Sequence, residues 1–178
     1  MDRAPDYVEP LEGWRVWEVA GGPDAPRLRS LVRRDCRWPV GAPLTADCPS
    51  GEPPGAPPAH EAPEPGCWCG IHAFADDGEA LRTLAGLGRE LDGPVVIGTV
   101  RLWGRVVQCT RGLRGQHGYP GELWVPYPAA RPGAAAAADR LCHALGGYGV
   151  PVHPLPIDGW GVPPTRVPRP HGTPTPGG

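Results

Sequence analysis

Val95-Val96-Ile97-Gly98-Thr99-Val100-Arg101-Leu102-Trp103-Gly104-Arg105-Val106-Val107-Gln108-Cys109 is the stretch on which the fold turns. It is rich in β-branched residues and alternates with the two-residue period of a strand. Val96, Val100, Leu102 and Val106 share one phase; Thr99, Arg101, Trp103 and Arg105 share the other. Gly98 and Gly104 fall in the apolar phase, where a bulge or sharp coil costs little. The spacing predicts one long bent strand, as in a strongly coiled sheet or a small open barrel.

Other elements are legible on either side. Trp14–Val19 reads as a strand, Gly21-Gly22-Pro23-Asp24 as a turn, and Arg27–Arg33 as a second strand antiparallel to the first. Gly70–Phe74 is a short strand. Asp76 and Glu79 have capping-box spacing, and Leu81, Leu84, Leu87 and Leu91 follow on one helical face that would pack on a sheet. Gly93-Pro94 stops that helix. Residues 113–118 and Glu122–Val125 continue the meander, with a turn expected at Tyr119-Pro120-Gly121. Pro132 suits the first position of a helix over 133–145. Ala134, Ala138, Leu141 and Leu145 form its inner stripe, and Gly146-Gly147 end it. Tyr148–Val152 reads as a last short strand. The fold class is therefore α+β: a curved, mainly antiparallel sheet with two helices.

Composition sets the limits. Gly and Pro number 27 each, and Leu, Ile, Val and Phe together supply only 33 of 178 residues, a level usual for disordered chains. Yet the net charge is only -2 and there are seven Trp, so self-repulsion does not hold the chain open. The expectation is one ordered domain over 13–153, a leader over 1–12, and a disordered Pro/Gly-rich tail over 154–178. Residues 49–66, with seven Pro and three Gly, form a long irregular loop inside that domain. No apolar run is long enough to span a membrane. All 17 basic residues are Arg, which in so Ala-, Gly- and Pro-rich a chain points to a GC-rich coding sequence. A pI near 6.3 argues against coating nucleic acid by bulk charge. No signal-peptide core follows Met1, which points to the cytoplasm. In a reducing compartment, six Cys are metal ligands or buried thiols sooner than disulfides.

The chemistry concentrates in Cys48 … His60-Glu-Ala-Pro-Glu-Pro-Gly-Cys67-Trp68-Cys69-Gly70-Ile71-His72. Zinc takes four sulfur or nitrogen donors in a tetrahedron. A Pro-rich loop cannot bury itself, so a metal clip would hold it beside a core, and long loops gain most from closure. Cys48, His60, Cys67 and Cys69 rank first as ligands, because all lie in irregular chain able to wrap an ion. Exchanging His60 for His72 comes second, and exchanging Cys48 for Cys36 third. Against zinc stands the Cys-x-Cys spacing, shorter than usual in structural sites. The bland alternative is a strand with Cys67 and Cys69 packed as small hydrophobes on opposite faces. A thiol-enzyme reading pairs Cys67 or Cys69 with His60 or His72 as nucleophile and base, but no third member is recognisable. Cys36, Cys109 and Cys142 read as packing residues.

A second candidate surface is the Arg101, Trp103, Arg105 face, with Arg111, Arg114 and His117 following. Arg beside Trp permits cation–π stacking on a partner protein, or base stacking with phosphate contacts. The modest overall charge favours a protein or small-ligand surface over RNA or DNA. Gly112-Leu-Arg-Gly115 lacks the helix and Lys of a phosphate loop.

Taken together, Cys67-x-Cys69-Gly70-Ile71-His72-Ala73, Gly98-x-Val100-x-Leu102-Trp103-Gly104-x-Val106 and Gly112-x-Arg114-Gly115-x-x-x-Tyr119-Pro120 resemble a group of actinobacterial proteins with no established activity. The resemblance covers residues 13–125. It implies a shared fold and a shared site. In that group a Cys and a His precede the Cys-x-Cys, matching Cys48 and His60, and an aromatic residue often stands at the position of His72. The resulting expectation is a non-catalytic, zinc-stabilised interaction or regulatory module. Cys48, His60, Cys67 and Cys69 would hold metal, and Arg101, Trp103, Arg105 and Arg114 would meet the partner. A thiol-dependent enzyme and a nucleic-acid binder are the rivals.

Overall fold

The structure, a computed structural model, describes residues 6–48, 60–87, 93–159 and 166–167. Strands β1 (Asp6–Ala20), β2 (Arg27–Ser30), β3 (Leu44–Thr45) and β4 (Ile71–Phe74) precede helix α1 (Asp77–Leu87). Strands β5 (Val95–Cys109) and β6 (Gly112–Pro128), helix α2 (Ala134–Leu145) and strand β7 (Val152–Ile157) follow. The architecture is α+β, with seven strands in one curved sheet, antiparallel except where β7 runs parallel to β6. The pairings of β1 with β5, β5 with β6, β6 with β4 and β4 with β1 close a ring of hydrogen bonds. The last of these is a single pair, Trp14 with Phe74.

The alternation over 95–109 is realised as β5. Val96, Val100, Leu102 and Val106 point into the larger core cluster, with Trp17, Leu28, Trp38 and, from α2, Ala138 and Leu145. The opposite phase divides along its length. Val95 and Ile97 pack in a second cluster with Leu81 and Leu84 of α1, Trp14 and Trp124. Beyond the reach of α1, the same face becomes Arg101, Trp103 and Arg105. Register shifts fall at Gly98/Val100 and Trp103/Val106, placing bulges beside the two glycines that permit them. Asp76 caps α1 as its spacing predicts, its Oδ1 accepting the Glu79 N–H at 2.9 Å.

Five expectations change. First, β1 begins at Asp6, inside the segment expected as a leader, because the distal end of β5 takes Asp6 and Tyr7 as partners across a bulge. Second, β6 runs unbroken through Tyr119-Pro120-Gly121 with no turn. Leu123 pairs with Gly98 and Pro120 with Val100, so β6 absorbs its extra residue as a bulge. Gly98 makes room: a Cβ there would lie 2.2 Å from the Glu122 carbonyl oxygen. Third, Pro132 lies outside α2, which starts at Ala134 behind Gly133 in a left-handed conformation. Fourth, the last strand is displaced: Gly146–Tyr148 form a 3-10 turn and β7 covers Val152–Ile157. Fifth, that strand runs on from the expected domain into the segment expected to be disordered, through Ile157. Beyond it, Val167 is buried and its N–H donates to Asp77 Oδ2 at 3.2 Å. The expectations for Leu91, residues 49–59 and most of the remaining tail lie outside the described residues.

Candidate metal centre

Two chain segments converge on one edge of the sheet. The first follows β3, which pairs with Thr45 opposite His117 of β6, and it delivers Cys48. The second runs from His60 to Gly70 and enters β4. It delivers His60, Cys67 and Cys69. The ligand atoms of all four residues lie within 4.8 Å of one another, and none of the thiols is in a disulfide. Cys48 Sγ stands 3.8 Å from Cys67 Sγ, and Cys69 Sγ 3.4 Å from His60 Nε2. A tetrahedral ion with ~2.3 Å bonds to sulfur and ~2.0 Å bonds to nitrogen has S···S edges of about 3.8 Å and S···N edges of about 3.5 Å. Two of the edges already have metal-site lengths, so these four residues can hold a metal ion.

This is the ligand set ranked first from sequence. The second set falls away because His72 is committed elsewhere: its Nε2 lies 2.7 Å from the Trp68 carbonyl oxygen, which makes that nitrogen the donor. Desolvation lowers the His72 pKa, and the nearby Arg15 and Arg114 cations lower it further. Cys36 lies beyond the cluster, hydrogen-bonded through its backbone to Arg33 and Ser30. Burial pushes the Cys69 thiol up to about 11, with Cys67 and Cys48 adding to the shift. Such a thiol is a poor free nucleophile but becomes a good thiolate ligand once a cation is present.

Arg105 and Arg114, expected at a partner surface, bind the loop that carries three of the candidate ligands. Arg114 is 6% exposed and lies beneath that loop. Its Nη1 donates to the carbonyls of Cys67 and, at 3.0 Å, Cys69, and reaches that of Glu64 at 3.4 Å. Its Nη2 contacts the Pro65 carbonyl at 3.5 Å and its Nε the Cys109 sulfur at 3.4 Å. Arg105 pairs with Glu61, the residue after His60: Nη2 to Oε2 at 2.8 Å and Nη1 to the backbone carbonyl at 3.2 Å. Arg114 reaches these carbonyls because it stands opposite His72 and Val107 in the sheet, at the point where the loop enters β4. Gly70 makes the loop's last turn at φ +117°, a conformation strained for other residues.

Of the proposed partner face, Arg101 remains exposed and Trp103 half-buried, its ring 6.0 Å from that of His117. Arg111 pairs with Glu79 at 3.3 Å. Cys36 and Cys142 are half-buried, whereas Cys109 is exposed because it ends β5 at the hairpin to β6.

Sequence reasoning missed Trp68. It stands between two of the four candidate ligands and is 88% exposed. Its carbonyl accepts from His72 while those of Cys67 and Cys69 accept from Arg114, so its backbone is held on both sides. The signal was present as a Trp inside a Cys-x-Cys, where the ligands' inward direction leaves the middle side chain outside. No protein family, curated protein or solved structure matches the chain, so the residues of this centre carry the functional reading.

Proposed function

We propose that this protein is a zinc-stabilised, non-catalytic interaction module of the cytoplasm. Its metal-clipped loop presents Trp68 to a protein partner. The observation that carries the proposal is the convergence of three thiols and one imidazole within 4.8 Å. Three Cys and one His are a structural zinc set, and four protein donors leave no open position for a substrate or water. Soft thiolate donors favour zinc over magnesium or calcium. An exposed Trp on a fixed backbone has the chemistry of an interface anchor. Arg101 and Trp103 offer a second contact.

The thiol-enzyme reading is weaker. Cys69 and His60 are close enough for a nucleophile–base pair, but Cys69 is buried and its thiol is held protonated without a cation. The nucleic-acid reading is weaker too, since Arg105 and Arg114 of its six-residue face are engaged by the loop.

Metal analysis of freshly purified protein tests the proposal. About one zinc per chain, resistant to dialysis and lost in Cys67→Ser and Cys69→Ser, is the expected result. No metal, with both variants folded as the wild type, would overturn it. Trp68→Ala is expected to keep the metal and to weaken partner binding.

A further inference from the structure

The two arginines that hold the metal loop differ in one respect. Arg105 has a carboxylate, Glu61 Oε2, at 2.8 Å. Arg114 is the more buried and, among the described residues, has no carboxylate partner. It meets carbonyl oxygens and the Cys109 sulfur. A guanidinium withdrawn from water without a counter-charge is costly, because carbonyl dipoles replace only part of its hydration. A second cation lies nearby. Arg15 donates to the His72 carbonyl and, at 3.1 Å, to Ser30 Oγ, and it too has no ion pair among the described residues.

The metal centre supplies the missing charge. A divalent ion carries two positive charges against three from thiolates, and a neutral imidazole adds none, so the loaded centre carries one net negative charge. Arg114 touches the backbone of two of the three Cys ligands.

We propose that Arg114 is the counter-ion of the metal centre: its charge selects the anionic three-thiolate, one-imidazole form, and its hydrogen bonds position Cys67 and Cys69. Metal loading and burial of the guanidinium then stabilise each other. The inference rests on the metal reading above and extends it from the ligands to the sheet. Groups that support a metal from outside its ligand shell commonly change affinity by about 10–100-fold when removed.

The test is titration with Co(II), whose thiolate charge-transfer band reports the donor set, followed by displacement with Zn(II) against a chelator. Wild type, Arg114→Lys and Arg114→Met are compared, each checked for fold by circular dichroism. Arg114→Met is expected to bind on the order of tenfold more weakly or worse. Arg114→Lys, which keeps the charge but not the fork, is expected to recover part of that loss. Equal affinity in wild type and Arg114→Met would overturn the proposal. So would a Lys variant as weak as the Met variant, since geometry alone would then be the cause.

A measurement on the wild type stands if the variants do not fold. The Arg114 side-chain nitrogen resonances are expected to shift, and guanidinium rotation to slow, on metal loading. Unchanged resonances would overturn the counter-ion role while leaving the metal site intact. A wild type that binds no metal would overturn both readings together.

Discussion

The β5–β6 hairpin and the loop at 60–70 lie against each other and are held by opposite means. The hairpin is a ladder of backbone bonds whose inner face is fully buried Val96, Val100, Leu102 and Val106. The loop has its own small cluster: buried Cys48, Ala62 and Cys69, with Ala46 and Cys67 against them. Among the described residues, no large aliphatic or aromatic side chain belongs to it. Area burial, at roughly 25 cal/mol per Å², stabilises such a cluster little. What fixes the loop is point chemistry: two arginines below it, three donor atoms within it and a fourth, from Cys48, beside it. One region is secured by many weak contacts of one kind, the other by a few strong and directional ones. Gradual erosion is the failure mode of the first, and loss of a single group is that of the second.

The largest expected effect belongs to the hairpin. Leu102→Ala, at a fully buried site, should cost about 2–5 kcal/mol in denaturant unfolding. The metal should stay bound at full stoichiometry in the protein that remains folded. A collapse of both together would show that the two regions are one cooperative unit.

Next comes Tyr148, whose buried hydroxyl accepts from Leu28 N–H and donates to the Trp38 carbonyl, each at 2.9 Å. Tyr148→Phe leaves both groups unmet and should cost about 1–3 kcal/mol by the same measurement. Gly70→Ala should cost about 1–2 kcal/mol, because its backbone is in the left-handed half of conformational space. Its Cβ would also press on Pro63 Cβ at 3.0 Å and Arg114 Cβ at 3.2 Å. This change should fall on the loop: faster amide exchange over 60–70 and weaker metal binding, with exchange in β5 and β6 little altered.

The smallest effect leaves stability untouched and reads the thiols. Cys109 is exposed and should alkylate first. Cys48, Cys67 and Cys69 should react slowly until a chelator strips the metal. Burial, and then the charge of Asp139, push Cys142 up to about 11. The thiolate is the reactive form, so at pH 8 only about one Cys142 in a thousand is reactive. Its rate should climb roughly tenfold per pH unit until about pH 11. A plateau near pH 9, measured by mass spectrometry, would show an ordinary thiol.

The two regions also differ in how far sequence discloses them. The hairpin was legible because alternation is a local property, and 95–109 carries it in full. The four donors were legible because few residue types bind metals and these lie in irregular chain. Three features were hidden. In β7 the prolines at 154 and 156 mask a strand whose Leu155 and Ile157 are buried, since Pro is tolerated where a strand lies at a sheet edge. At Tyr119-Pro120-Gly121 turn chemistry was overridden by pairing with β5. The role of Arg114 was invisible because its partners are mainly backbone carbonyls, which no residue type announces.

The parallel pairing of β7 has a consequence for how the chain is made. Leu155, Ile157 and Val167 complete the cluster that also contains Trp14, Val16 and Trp124. During synthesis β1, β5 and β6 leave the ribosome before the segment that covers this face. The nascent chain must therefore carry an open, Trp-lined surface until residues beyond 150 arrive, and the closing contacts span most of its length. Such non-local closure slows folding and leaves apolar surface open to other chains in the meantime. Co-translational folding of this protein should be a late event, and the same face is where a holding chaperone would find it.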